Sequence, residues 1–140
     1  MLWEDVLVPV RFLTSAGQLL AVLAVALDEE PYLLAALPQP YSQEQYDDVA
    51  VNCRTVLGLS IAGLALELFS LIRGYSFFAD RANTLHCFLH GAGCAGAALI
   101  VLTGAHYGFL WRIFWIAGLP PLLLEACTLL GISWLRTSAY

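Results

Sequence analysis

Of 140 residues, 60% are hydrophobic and only 12% are charged, and the mean hydropathy is +0.75. A soluble domain of this size cannot bury so much apolar surface, so a multi-span membrane protein is the expectation. The net charge is −5, the chain has no lysine, and its six basic residues are arginines spread from Arg11 to Arg136, which leaves no basic patch for nucleic acid.

The first predicted span covers residues 6–27. Pro9 falls in its first turn, where a missing N–H costs nothing. Arg11, Thr14, Gln18 and Ala21 share one helical face. Arg11 lies near the start of the span, so its guanidinium is expected to snorkel toward the headgroups in preference to a buried ion pair. Glu4 and Asp5 stand where a signal peptide would have a basic region, and no cleavage site follows, so the span is expected to remain in the protein.

Residues 28–48 form an acidic loop, with Asp28, Glu29, Glu30, Glu44, Asp47 and Asp48 punctuated by Pro31, Pro38 and Pro40. A solvated loop is the simpler reading, and a contact surface for a partner's extracytosolic domain the more specific one. The short apolar run from Tyr32 to Leu37 is a candidate membrane-surface segment. Ser42, followed three residues later by Gln45, is a capping box that predicts a helix starting near Gln43, ahead of the apolar stretch. Glu44, Asp47 and Asp48 then suit the positive end of its dipole.

The second span covers residues 49–72 and carries one acid deep inside, Glu67. An ionisable group there costs several kcal/mol unless it is paired or neutral. Ser60, Gly63, Glu67, Ser70 and Gly74 lie on one face, and Leu59, Leu66 and Phe69 on the other. One side therefore suits protein and the other lipid. A turn over residues 73–81 brings Tyr75, Phe77 and Phe78, which fit an interfacial aromatic belt. The third span, residues 82–103, is rich in small residues, and His86, His90, Gly93, Ala97 and Gly104 fall near one stripe. Gly63, Gly93 and Ala97 are the positions expected to let helices approach closely.

The fourth span, residues 109–135, is interrupted by Pro120-Pro121. Two consecutive prolines deprive the carbonyls of Ile116 and Ala117 of their helical donors, so a kink is expected and other groups must satisfy those oxygens. Glu125 follows one turn later, in line with Gly118, Pro121 and Thr128. Cys53, Cys87, Cys94 and Cys127 all fall in apolar spans without paired or metal-type spacing, and are expected to be small buried hydrophobes rather than disulfide partners.

With four spans, Arg11, Arg73, Arg81 and Arg136 fall on one side and Arg54 and Arg112 on the other. Four successive apolar spans predict a single all-α membrane domain, an antiparallel up-down bundle of four transmembrane helices. The positive-inside rule then places both termini in the cytosol and makes the 28–48 loop extracytosolic. Arg11, Glu67, His86, His90 and Glu125 then all lie in the cytosolic half, where they can form one intramembrane polar cluster. Such a cluster is either hydrogen-bonded glue between helices or a proton or ion path, and glue is the preferred reading. His86 and His90, four apart on a helix, could hold zinc, but no third ligand beyond Glu67 or Glu125 suggests itself, and packing is the ordinary role of such a pair. No metal, cofactor, catalytic set or small-molecule substrate is expected, and membrane lipid is the surrounding partner.

These motifs also carry a resemblance. The stretches LVPVRFLT (Leu7 to Thr14), Leu37-Pro38, EQYD (Glu44 to Asp47), LGLSIAGLALELFSLIRGYSFF (Leu57 to Phe78), His86-Cys87 and the W, IF, LP and E pattern from Trp111 to Glu125 resemble the transmembrane protein 107 family, in that order and spacing. The resemblance spans most of the chain. It departs at the C-terminus, where the family's lysine-rich tail is reduced to Arg136, and at the proline doublet. What it implies is a non-enzymatic subunit of the Meckel–Joubert module of the ciliary transition zone. Such a subunit works with tectonics and other small transmembrane proteins to support cilium assembly and the diffusion barrier that sets ciliary membrane protein composition. The alternative is a minimal proton- or ion-coupled transporter or channel using Glu67 and Glu125.

Overall fold

Runs of twenty or more apolar residues satisfy their backbone polar groups internally by coiling, which is the only economical solution for a single segment in hydrocarbon. The computed structural model describes the backbone of residues 4–74 and 80–137, and its regular structure is helical throughout the described residues. The elements are α1 (Glu4–Leu27), α2 (Glu30–Leu34), α3 (Gln43–Ile72), α4 (Asp80–Thr103), α5 (Gly108–Ile113), a π-helical segment (Phe114–Gly118) and α6 (Leu119–Thr137). Four stretches are long and apolar enough to cross a membrane: Val6–Leu27, Gln43–Ile72, Arg81–Thr103 and Gly108–Trp134. The aromatics Tyr75, Phe77 and Phe78 and the side chain of Arg136 lie outside the described residues.

Helix α3 starts where the capping box predicts. Ser42 Oγ accepts from the Gln45 N–H, and the Gln45 side chain accepts in return from the Ser42 N–H. Helix α4 stops at Gly104, whose φ of +61° is the left-handed conformation that glycine adopts without steric penalty.

The proline doublet is absorbed without ending the helix. The chain widens into the π segment, where the Leu119 N–H reaches back to the Phe114 carbonyl, five residues away. Adding a residue to the turn makes room for rings that would otherwise strike carbonyls of the preceding turn.

Helix α1 packs most extensively on α4 and next on α3, while the π segment and α6 fill the remaining side against α3 and α4. The backbones of α3 and α4 do not approach closely, so these helices face each other across the interior and meet through side chains. That interior is divided along its length. Toward the 28–42 connection it is apolar, built on Val22, Val25, Val56, Leu64, Ile100 and Leu110. Tyr32 and Leu33 of α2 tuck into this core, and the Tyr32 carbonyl accepts from the Tyr107 N–H. The Tyr32–Leu37 run therefore plugs the end of the bundle, with Leu37 also buried, instead of lying out on a surface.

The outer face is apolar. Leu59, Leu66 and Phe69 are exposed, as the helical spacing predicts, and so are Leu20, Phe88 and Leu102. In water such a surface is an aggregation liability; against acyl chains it is matched to its solvent. All four cysteines are free. Cys53 is buried and Cys87 and Cys94 are half-buried, but Cys127 is exposed on the outer face, which corrects the expectation that all four are buried. Its place on α6 turns it away from the helix interfaces, where a small side chain fills no gap.

Candidate functional site

The other half of the interior is polar. Arg11, Ser15 and Gln18 from α1, Glu67 and Ser70 from α3, Asn83, His86 and His90 from α4 and Glu125 from α6 are all buried. Each comes from the stripe that its helix turns inward, so four helices contribute to one cluster in the core of the bundle.

Arg11 is 1% exposed, and its guanidinium does not snorkel. Nη1 donates to Asn83 Oδ1 at 2.6 Å and Nη2 to Glu125 Oε2 at 2.7 Å. The expectation of a headgroup-facing arginine is thus overturned. The residue points at α4 and α6, where the Asn83 amide oxygen and the Glu125 carboxylate accept its hydrogen bonds. Glu125 Oε1 accepts from Ser70 Oγ, which ties α3 into the same group. A buried charge is tolerable only when so paired.

The second half of the cluster centres on His90. Its Nε2 lies 2.8 Å from Glu67 Oε2 and its Nδ1 lies 2.8 Å from Gln18 Oε1. Gln18 Nε2 in turn donates to the Ala117 carbonyl at 3.5 Å. Pro121 has no N–H to offer that carbonyl, so the glutamine supplies a donor that the proline removes. Gly93 makes this possible. A Cβ at that position would come within 2.5 Å of the Gln18 amide. At Gly63 a Cβ would meet nothing closer than Leu122 Cδ2 at 3.6 Å, an ordinary contact. Ala97 is fully buried on the same stripe of α4.

His86 links the two halves. Its Nδ1 lies 3.4 Å from Glu67 Oε2 and 3.5 Å from His90 Nε2, and its Nε2 lies 3.7 Å from Glu125 Oε2. Glu67 Oε1 and His86 Nε2 are buried without a hydrogen-bond partner. The five residues singled out from sequence are therefore brought together. Gln18, Ser70 and Asn83 join them, and each carried a signal: Gln18 shares the face of Arg11, Ser70 that of Glu67, and Asn83 stands three residues before His86. Outside this core, a groove of about 320 Å³ opens sideways between α3 and α6, lined by Leu66, Phe69, Leu122 and Leu129, with Glu67, Ser70 and Glu125 at its base.

Comparison with known proteins places the chain. The TMEM107 family model, described as a transmembrane protein, matches residues 7–129. The chain is similar to transmembrane protein 107 of Danio rerio, with 26% identity covering 89% of this chain and 93% of the relative. It is also similar to the proteins of that name from Mus musculus and Homo sapiens, with 24% and 22% identity, each match covering 96% of both chains. No solved structure matches.

Proposed function

We propose that this chain, which belongs to the transmembrane protein 107 family, is a non-enzymatic assembly subunit of the membrane complex at the ciliary transition zone. In this reading it works with tectonics and other small transmembrane proteins of that module. It supports cilium assembly and the barrier that sets which membrane proteins enter the cilium. The observation that carries the proposal is the family match, which runs through all four candidate spans, together with coverage of nearly the whole length of the relatives. That family is one of transmembrane proteins and not a known enzyme family.

The organisation of the chain supports a scaffold. Most of its buried polar side chains pair with one another across helices, and its apolar outer face is left for lipid or for neighbouring membrane helices. Antiparallel helices, both termini in the cytosol and residues 28–48 outside complete the proposal, supported by the arginine asymmetry. A minimal transporter has less support, because Arg11 already holds the Glu125 carboxylate and Glu67 is 2% exposed.

A fusion of a pH-sensitive fluorescent protein to the N-terminus, in ciliated cells, tests location and sidedness together. The expected result is fluorescence confined to the ciliary base and insensitive to acid outside the cell. A uniform plasma-membrane signal, or quenching by external acid, would contradict it.

A further inference from the structure

Three lone-pair atoms converge in the core: Glu67 Oε2, His86 Nδ1 and His90 Nε2. Their separations are 2.8 Å (Glu67 to His90), 3.4 Å (Glu67 to His86) and 3.5 Å (His86 to His90). Ligands about 2.0–2.1 Å from a tetrahedral zinc ion stand about 3.4 Å apart, so two of the three edges match and the third is short by roughly 0.6 Å. The arrangement pairs two histidines one turn apart on α4 with a carboxylate from α3, all 2% exposed or less.

The surroundings of His90 fix which of its nitrogens carries a proton. Gln18 Nε2 is committed to the Ala117 carbonyl, so Gln18 Oε1 faces His90 and can only accept. His90 Nδ1 therefore holds the proton, and in the neutral ring Nε2 turns a bare lone pair toward the Glu67 carboxylate. On the other side, His86 Nε2 makes no hydrogen bond, the nearest carboxylate oxygen being Glu125 Oε2 at 3.7 Å, while His86 Nδ1 is the ring nitrogen that faces Glu67 Oε2 and His90 Nε2. Metal-ligating histidines are held as His90 is, with the second nitrogen directed at a carbonyl or carboxylate oxygen. One cation coordinated by Glu67 Oε2, His86 Nδ1 and His90 Nε2 would satisfy all three atoms together.

We propose that Glu67, His86 and His90 form a site for a single divalent transition-metal ion of the zinc class. Gln18 acts as the positioning residue behind His90. Glu67 Oε1, buried without a partner, is available as a second carboxylate contact or as an acceptor for a water at the fourth position. Because the α3 and α4 backbones stand apart, the ion would join them through the middle of the bundle, a structural role distinct from any catalysis. The assembly function proposed above does not depend on it.

The test uses the full chain, purified in detergent without a histidine tag, stripped with a chelator and titrated with Zn²⁺ and with Co²⁺. The expected result is about one equivalent per chain, visible Co²⁺ bands of tetrahedral intensity, and a thermal midpoint that rises with zinc. His86→Gln and His90→Gln should each weaken binding about a hundredfold or more, and Gln18→Leu by about 10–100-fold through the orientation of His90. His106→Gln, at an exposed histidine on the 104–107 connection, should bind like the parent. Sub-stoichiometric uptake by the parent protein without a thermal shift would overturn the proposal, and that measurement needs no variant to fold. Unchanged affinity in His86→Gln, or equal loss in His106→Gln, would overturn it too.

Discussion

At the scale of single residues, Arg11 decides the character of the bundle. Its guanidinium is buried against Glu125 and Asn83, and removing one partner of such a pair strands the other's charge in low dielectric. Glu125→Leu is therefore expected to destabilise the protein by about 3–5 kcal/mol, measured by unfolding in mixed micelles. Arg11→Met/Glu125→Leu, which removes both charges, should recover most of that loss. A double variant as unstable as the sum of its two singles would mean that the pair is not coupled. The arginine was visible in the sequence but its direction was not. Snorkelling and burial differ only in which helices stand beside position 11, and that is a tertiary fact. Glu67 was more legible, because its neighbours at helical spacing are small or polar on one side and large and apolar on the other.

At the scale of elements, the inward glycines of α3 and α4 separate into loose and tight positions. Gly93→Ala would drive a methyl into a Gln18 amide that is held at both ends, by His90 and by the Ala117 carbonyl. A loss of about 1–3 kcal/mol is expected, the usual range for overpacking. Gly63→Ala meets only ordinary contact with Leu122 and gains helix propensity, so it should be neutral or slightly stabilising. Thermal midpoints of the two variants check the contrast, and equal losses would contradict it. The sequence marks both glycines alike, since small residues at the right spacing are all it offers. Which glycine touches a long side chain depends on the partner helix. The proline doublet shows the same division. Its two orphaned carbonyls are predictable from missing N–H groups, but the π segment and the glutamine that answers Ala117 come from packing. The Ser42–Gln45 capping box was fully legible because all its partners lie within four residues.

For the whole molecule, the division of the interior is the main architectural feature. One end is closed by apolar side chains and the α2 plug, and the other is cross-linked by polar groups from four helices. Helices surrounded by lipid gain nothing from burying leucine against leucine that acyl chains would not also supply, so hydrogen bonds and close small-residue contacts must specify the arrangement. A bundle fixed in this way presents a rigid apolar exterior, which suits a component that other membrane helices assemble against. The proposed role in a barrier at the ciliary base is tested by deleting the chain in ciliated cells and measuring how long a membrane-anchored reporter is retained inside the cilium. The reporter is expected to leak out after deletion and to be retained again when the intact chain is restored. Cilia of normal number that hold the reporter as well without the chain as with it would rule that role out.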